Sequence, residues 1–169
     1  MMIYPEDLPD NYFTELWRNV VTAWTHELSH IWFNKTNPDE WHNWIDESLA
    51  DYCAFIVAKE EFGEEFFNQL IKKRTELIKK EKDLPSIKET KRDHKQAYTL
   101  YYYWGTLIHD NISKEIGLEK MKEVIKDLAK KSKRKDIIET IDYVESLNKI
   151  TGKDWTDYID KMVSETPEV

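Results

Sequence analysis

A bundle of α-helices without strands is the fold class this sequence predicts. Apolar residues recur at steps of three and four through most of the 169 residues, and the alternation of a half-buried strand occurs nowhere. Gly and Pro punctuate the chain at intervals that suit helices, with no internal repeat or low-complexity tract. With 40% hydrophobic residues and seven tryptophans, the chain can build one domain's core over 1–169.

Taken in order, residues 1–9 carry Pro5 and Pro9 and read as an irregular lead-in, after which Asp10 or Asn11 can cap a helix. Phe13, Leu16, Trp17, Val20, Val21, Trp24, Leu28 and Ile31 then predict one amphipathic helix running to about Phe33, with that stripe toward the core. At about 100° per residue, His26 and His30 fall roughly 130° from the stripe's centre. That separation favours a cleft-lining face over the main core face. A second helix is expected from about Trp44 to Glu60, ended by Gly63. A third runs over Glu64 to about Lys82, and a fourth from roughly Asp93 to Ile116 with Gly117 as its stop. Two more are expected around Leu118–Lys131 and Asp136–Leu147, and a short last one over Asp154–Met162.

Composition narrows the function classes. A net charge of -8 argues against nucleic acid, which needs a basic face, and Lys130 to Lys135 reads as a solvated helix end. No apolar run is long enough to span a bilayer, so no membrane partner and a cytoplasmic location are expected. The single cysteine, Cys53, excludes an internal disulfide framework and reads as a small buried hydrophobe. His42, on an aromatic-rich loop, reads as packing.

Chemistry concentrates in His26-Glu27-Leu28-Ser29-His30. Residues four apart on a helix stand one turn above each other, so His26 and His30 can direct two imidazole nitrogens at one zinc ion. Glu27 beside them can take a proton from a water that the metal activates. An open catalytic zinc site needs a third protein ligand, and Glu47 on the second helix is available. Glu47, Asp51, Ala54 and Ala58 share one stripe, where small residues allow the close helix approach that a shared metal requires. Asp51, one turn beyond Glu47, can hold the far nitrogen of a ligand histidine.

With Trp44-Ile45-Asp46-Glu47-Ser48-Leu49-Ala50-Asp51-Tyr52 following the histidine motif, the chain resembles the gluzincin metallopeptidases of the aminopeptidase N family. Tyr102-Tyr103-Trp104-Gly105 resembles that family's Tyr-x-x-Gly helix, and Thr151-Gly152-Lys153-Asp154-Trp155 its closing segment. The resemblance implies zinc held by His26, His30 and Glu47, with Glu27 as general base and Tyr102 assisting the transition state. It implies a peptide or protein substrate.

The pattern also departs from the family. Sixteen residues separate His30 from Glu47, fewer than is usual there, and Asn34-Lys35 replaces the Gly-Asn that follows the Trp-Phe pair. The Gly-x-Met-x-Asn motif that anchors a substrate's amino terminus does not occur. Exopeptidase specificity is therefore not implied, and a thermolysin-like endopeptidase is the alternative, supported by the Glu47-x-x-x-Asp51 spacing. A non-catalytic zinc scaffold is the second alternative. Relatives place a β-sheet before the zinc helix, yet only 25 residues precede His26. The expectation is a fragment or a minimal helical core, with a partner chain completing the cleft.

Overall fold

The computed structural model describes residues 12–168. The lead-in over 1–9 and the cap at Asp10 or Asn11 lie outside the described residues. Within them every regular element is helical: α1 (Tyr12–Ser29), α2 (Trp44–Phe62), α3 (Glu64–Ile78), α4 (Gly105–Ile116), α5 (Leu118–Ser132), α6 (Thr140–Thr151) and α7 (Thr156–Ser164). A short 3-10 turn, Trp41–Asn43, opens α2, and a π-helical turn, Thr99–Trp104, runs directly into α4.

The central element is α2, which packs against α1, α3, α4 and the π turn. Every residue from Trp44 to Tyr52 is buried, polar ones included, so this helix is enclosed around its circumference. Helix α4 comes especially close: a Cβ on Gly105 would stand 2.5 Å from Ser48 Cβ and 3.2 Å from the Trp44 ring. A core of Trp44, Tyr52, Phe55, Tyr101, Tyr143 and Trp155 runs through the bundle. Burying such a side chain stabilises the fold by about 1.5–3 kcal/mol.

Glycine sets two boundaries where the sequence places them. Gly63 (φ 89°) separates α2 from α3, and Gly117 (φ 88°) separates α4 from α5; the positive φ at each disfavours any side chain. Other boundaries differ from expectation. Helix α3 stops at Ile78, and the chain reaches the next helical turn only near Ala97. Helix α6 starts four residues late because Glu139, in an extended conformation, forms a capping box with Asp142. It then runs on to Gly152, which takes the left-handed conformation. Helix α7 starts at Thr156, whose backbone N–H and hydroxyl both donate to Asp154 Oδ1 (2.9 and 2.6 Å).

The largest correction concerns α1. The helix ends at Ser29 and tightens into a turn through Phe33, so His30 lies just past the helix. Its apolar stripe faces outward: Phe13, Trp17, Trp24, Leu28 and Ile31 are all more than half exposed, Trp24 at 68%. The buried positions of α1 are His26 and Ser29, so the histidine face is the one that meets α2.

Candidate metal centre

His26 sits in the last turn of α1, buried against α2. His30 follows in the turn, where its Nδ1 donates to the Phe33 carbonyl at 2.9 Å and leaves Nε2 as the free lone pair. The two Nε2 atoms stand 3.3 Å apart. Glu47, in the first turn of α2, points Oε2 to within 3.7 Å of His26 Nε2 and 3.5 Å of His30 Nε2. These three donors form a compact triangle.

The triangle fits a zinc ion. Ligand bonds of about 2.0–2.1 Å in a tetrahedron place donors about 3.3 Å apart. Glu47 Oε2 is buried with no hydrogen-bond partner, although the residue is only 3% exposed. An orphaned carboxylate oxygen facing two imidazole nitrogens calls for a cation.

Charge in the centre follows from this crowding. Burial alone raises the pKa of the Glu47 carboxyl, but His26, His30 and the Tyr102 hydroxyl outweigh it and hold the group ionised, well below the usual range. Burial pulls His26 down, yet the carboxylates of Asp51 and Glu47 push its pKa up to about 9. His30 is raised as well, chiefly by Glu47.

Around the triangle, Asp51 Oδ1 lies 3.4 Å from His26 Nδ1. Its other oxygen is held by Arg74 Nη2 at 2.6 Å and approached by Thr106 Oγ1 at 3.5 Å. Tyr102, in the π turn, stacks on the His26 ring with centroids 5.5 Å apart, and Tyr98 stacks on Tyr102 at 4.2 Å. Burial first, and then the Glu47 carboxylate, raise the Tyr102 phenol so that it stays protonated. Glu27 is exposed beside a cleft of about 490 Å³ that His26, Asp51, Arg74, Tyr98 and Tyr102 also line. Among the described residues its carboxylate has no side-chain partner.

Sequence reasoning missed Arg74, Arg92 and Thr106. Arg92 Nη2 stands 2.9 Å from Glu47 Oε1, and neither arginine has a spacing from the motif that would mark it. His42 does not join the centre. Its Nδ1 accepts from the Thr140 N–H at 3.2 Å and pairs with the Thr140 hydroxyl at 3.0 Å, which ties the α2 entrance to the start of α6. Cys53 is half-buried, and burial of its sulfur pushes the thiol up to about 12, far from the reactive thiolate.

A histidine pair at the end of one helix, met by a carboxylate from the next, suits the gluzincin class, and the all-helical fold is that of its catalytic region. The Peptidase family M1 domain model matches residues 7–165, and the chain belongs to that family. Among solved structures it is similar to an M1 zinc metallopeptidase from Deinococcus radiodurans, with a TM-score of 0.71 and 14% identity over 88% of this chain. The chain spans 33% of that structure's length. No curated protein matches the sequence.

Proposed function

We propose that this chain carries the zinc-binding half of a peptidase active site, in which His26, His30 and Glu47 hold the metal and Glu27 is the general base. The observation that carries this reading is the unpartnered Glu47 Oε2, buried between two imidazole nitrogens. Zinc in a site with three protein ligands supplies Lewis acidity and a water acidified toward neutral pH.

The chain's own groups do the rest. Glu27 takes a proton from the attacking water onto a carboxylate oxygen and passes it to the leaving amine nitrogen. Tyr102 Oη, kept protonated, donates a hydrogen bond to the scissile carbonyl oxygen as negative charge builds there. Asp51 Oδ1 stands 3.4 Å from His26 Nδ1, which has no hydrogen-bond partner, and closing that gap sets the tautomer whose Nε2 lone pair points into the triangle. Peptides are the substrate class, bound in the cleft beside Glu27.

One further reading has its own support. The Asp51 contact to His26, together with the lack of an amino-terminus anchor, favours thermolysin-like endopeptidase cleavage; comparing amino-blocked with free-amine peptides separates the two specificities. A zinc scaffold without catalysis leaves the exposed, unpartnered Glu27 without a use. No described helix is long and apolar enough to cross a membrane, and a lone cysteine fits a reducing, cytoplasmic setting.

The decisive experiment is Glu27→Gln. Zinc content stays stoichiometric and turnover falls by about 10²–10⁴-fold. Undiminished hydrolysis in this variant removes Glu27 as the base.

A further inference from the structure

Glu47 presents its two oxygens to different neighbours. Oε2 faces the imidazoles and has no hydrogen-bond partner, while Oε1 is ion-paired with Arg92 Nη2 at 2.9 Å. The guanidinium is itself anchored, because its Nη1 donates to Asn43 Oδ1 at 3.1 Å. Asn43 Nδ2 donates in turn to Thr36 Oγ1 at 2.9 Å, and Thr36 donates from both its hydroxyl (2.6 Å) and its backbone N–H (3.1 Å) to Asp46 Oδ2. Asn43, Thr36 and Asp46 are all buried. Arg92 is thus fixed by a chain of hydrogen bonds that begins on the residue beside Glu47.

We infer that Arg92 is a positioning residue that holds Glu47 to a single donor oxygen and so keeps the fourth position of the metal open. This rests on the metal-centre reading given above. A carboxylate can ligate through one oxygen or both, and a second oxygen from Glu47 would take the place that a catalytic site reserves for water. Occupying Oε1 with a guanidinium prevents the swing. Arginine suits this task because its planar fork reaches Glu47 and Asn43 with separate nitrogens and does not deprotonate at any working pH. A purely structural account, in which Arg92 only balances a buried charge, assigns no consequence to which oxygen it touches.

Cobalt(II) reports coordination number in the visible spectrum and serves as the probe in place of zinc. The native chain, titrated with cobalt, shows the intense bands of a four-coordinate ion. Arg92→Ala lowers band intensity several-fold as Glu47 turns bidentate, while cobalt affinity in the same titration does not fall. Arg92→Lys, which keeps a point charge against Oε1, restores most of the intensity. Asn43→Ala, which frees the other end of the guanidinium, moves the spectrum in the same direction and serves if Arg92→Ala does not fold. A cobalt spectrum in folded Arg92→Ala identical to the native one overturns the inference. A native chain that gives no cobalt band overturns the metal centre itself, so the two failures are distinct.

Discussion

His26 Nε2 and His30 Nε2 stand 3.3 Å apart although only His26 belongs to helix α1. The tightened turn after Ser29 brings His30 back over the helix end, and its Nδ1 contact to the Phe33 carbonyl locks the ring in place. The spacing of the motif therefore works through a helix terminus, and the geometry of the pair depends on that turn as much as on α1.

Asp51 is the nearest support of that pair. Asp51→Asn removes the charge facing His26 Nδ1 and leaves Arg74 without its partner. Zinc affinity falls by about 10–100-fold, measured by competition with a chromogenic chelator. An affinity equal to the native value shows that His26 is oriented by the fold alone.

The metal-free chain is most stable near pH 6.5. His109, fully buried between Ser48 and Tyr143, is pulled by burial down to about 3, so the unfolded state binds the extra proton as pH falls from about 6.5. Stability then drops by about 1.4 kcal/mol per pH unit for that one proton. On the other side, His26 is raised to about 9 in the folded chain. Its contribution is fully present below about 6.5 and is lost as pH climbs toward 9. Zinc needs unprotonated imidazoles, so loading the metal abolishes the alkaline limb and leaves the acid limb. Denaturant titrations with and without zinc across pH 4 to 9 check both signs; an alkaline limb that persists with zinc bound contradicts the assignment of His26.

The outward stripe of α1 calls for cover. Phe13, Leu16, Trp17, Trp24, Leu28, Ile31 and Trp32 together present apolar surface on the order of 700 Å², more than the largest patch on an ordinary monomer. The proposal that a partner chain completes the cleft places that partner on this stripe, next to Glu27. Trp24→Ser changes the stability of the isolated chain by less than about 0.5 kcal/mol and weakens association. Native mass measurement of both forms, alongside a peptidase assay, checks this. A strictly monomeric native chain with full peptidase turnover refutes the partner.

Much of the helical plan was readable because glycine and periodicity act locally. Gly63 and Gly117 mark boundaries through their own backbone conformations. The histidine spacing and the stripe carrying Glu47 and Asp51 likewise depend only on helix geometry. What could not be read was which face of α1 the rest of the chain covers. Periodicity locates the stripe holding Trp17 and Trp24, but it does not say whether the covering surface lies in these 169 residues. The early start assigned to α6 has a different origin, since Glu139 with Asp142 makes a less common capping pair than Ser or Thr. Arg74 and Arg92 reach the centre from segments far along the chain, where only three-dimensional packing brings them to Asp51 and Glu47.

The most direct test is an anomalous difference map from a crystal of this chain soaked in zinc and measured at the zinc edge. One peak is expected inside the triangle, at bonding distance from His26 Nε2, His30 Nε2 and Glu47 Oε2, and absent in Glu47→Ala. A map with no peak there, or one in which the three donors point away from each other around the zinc, contradicts the account.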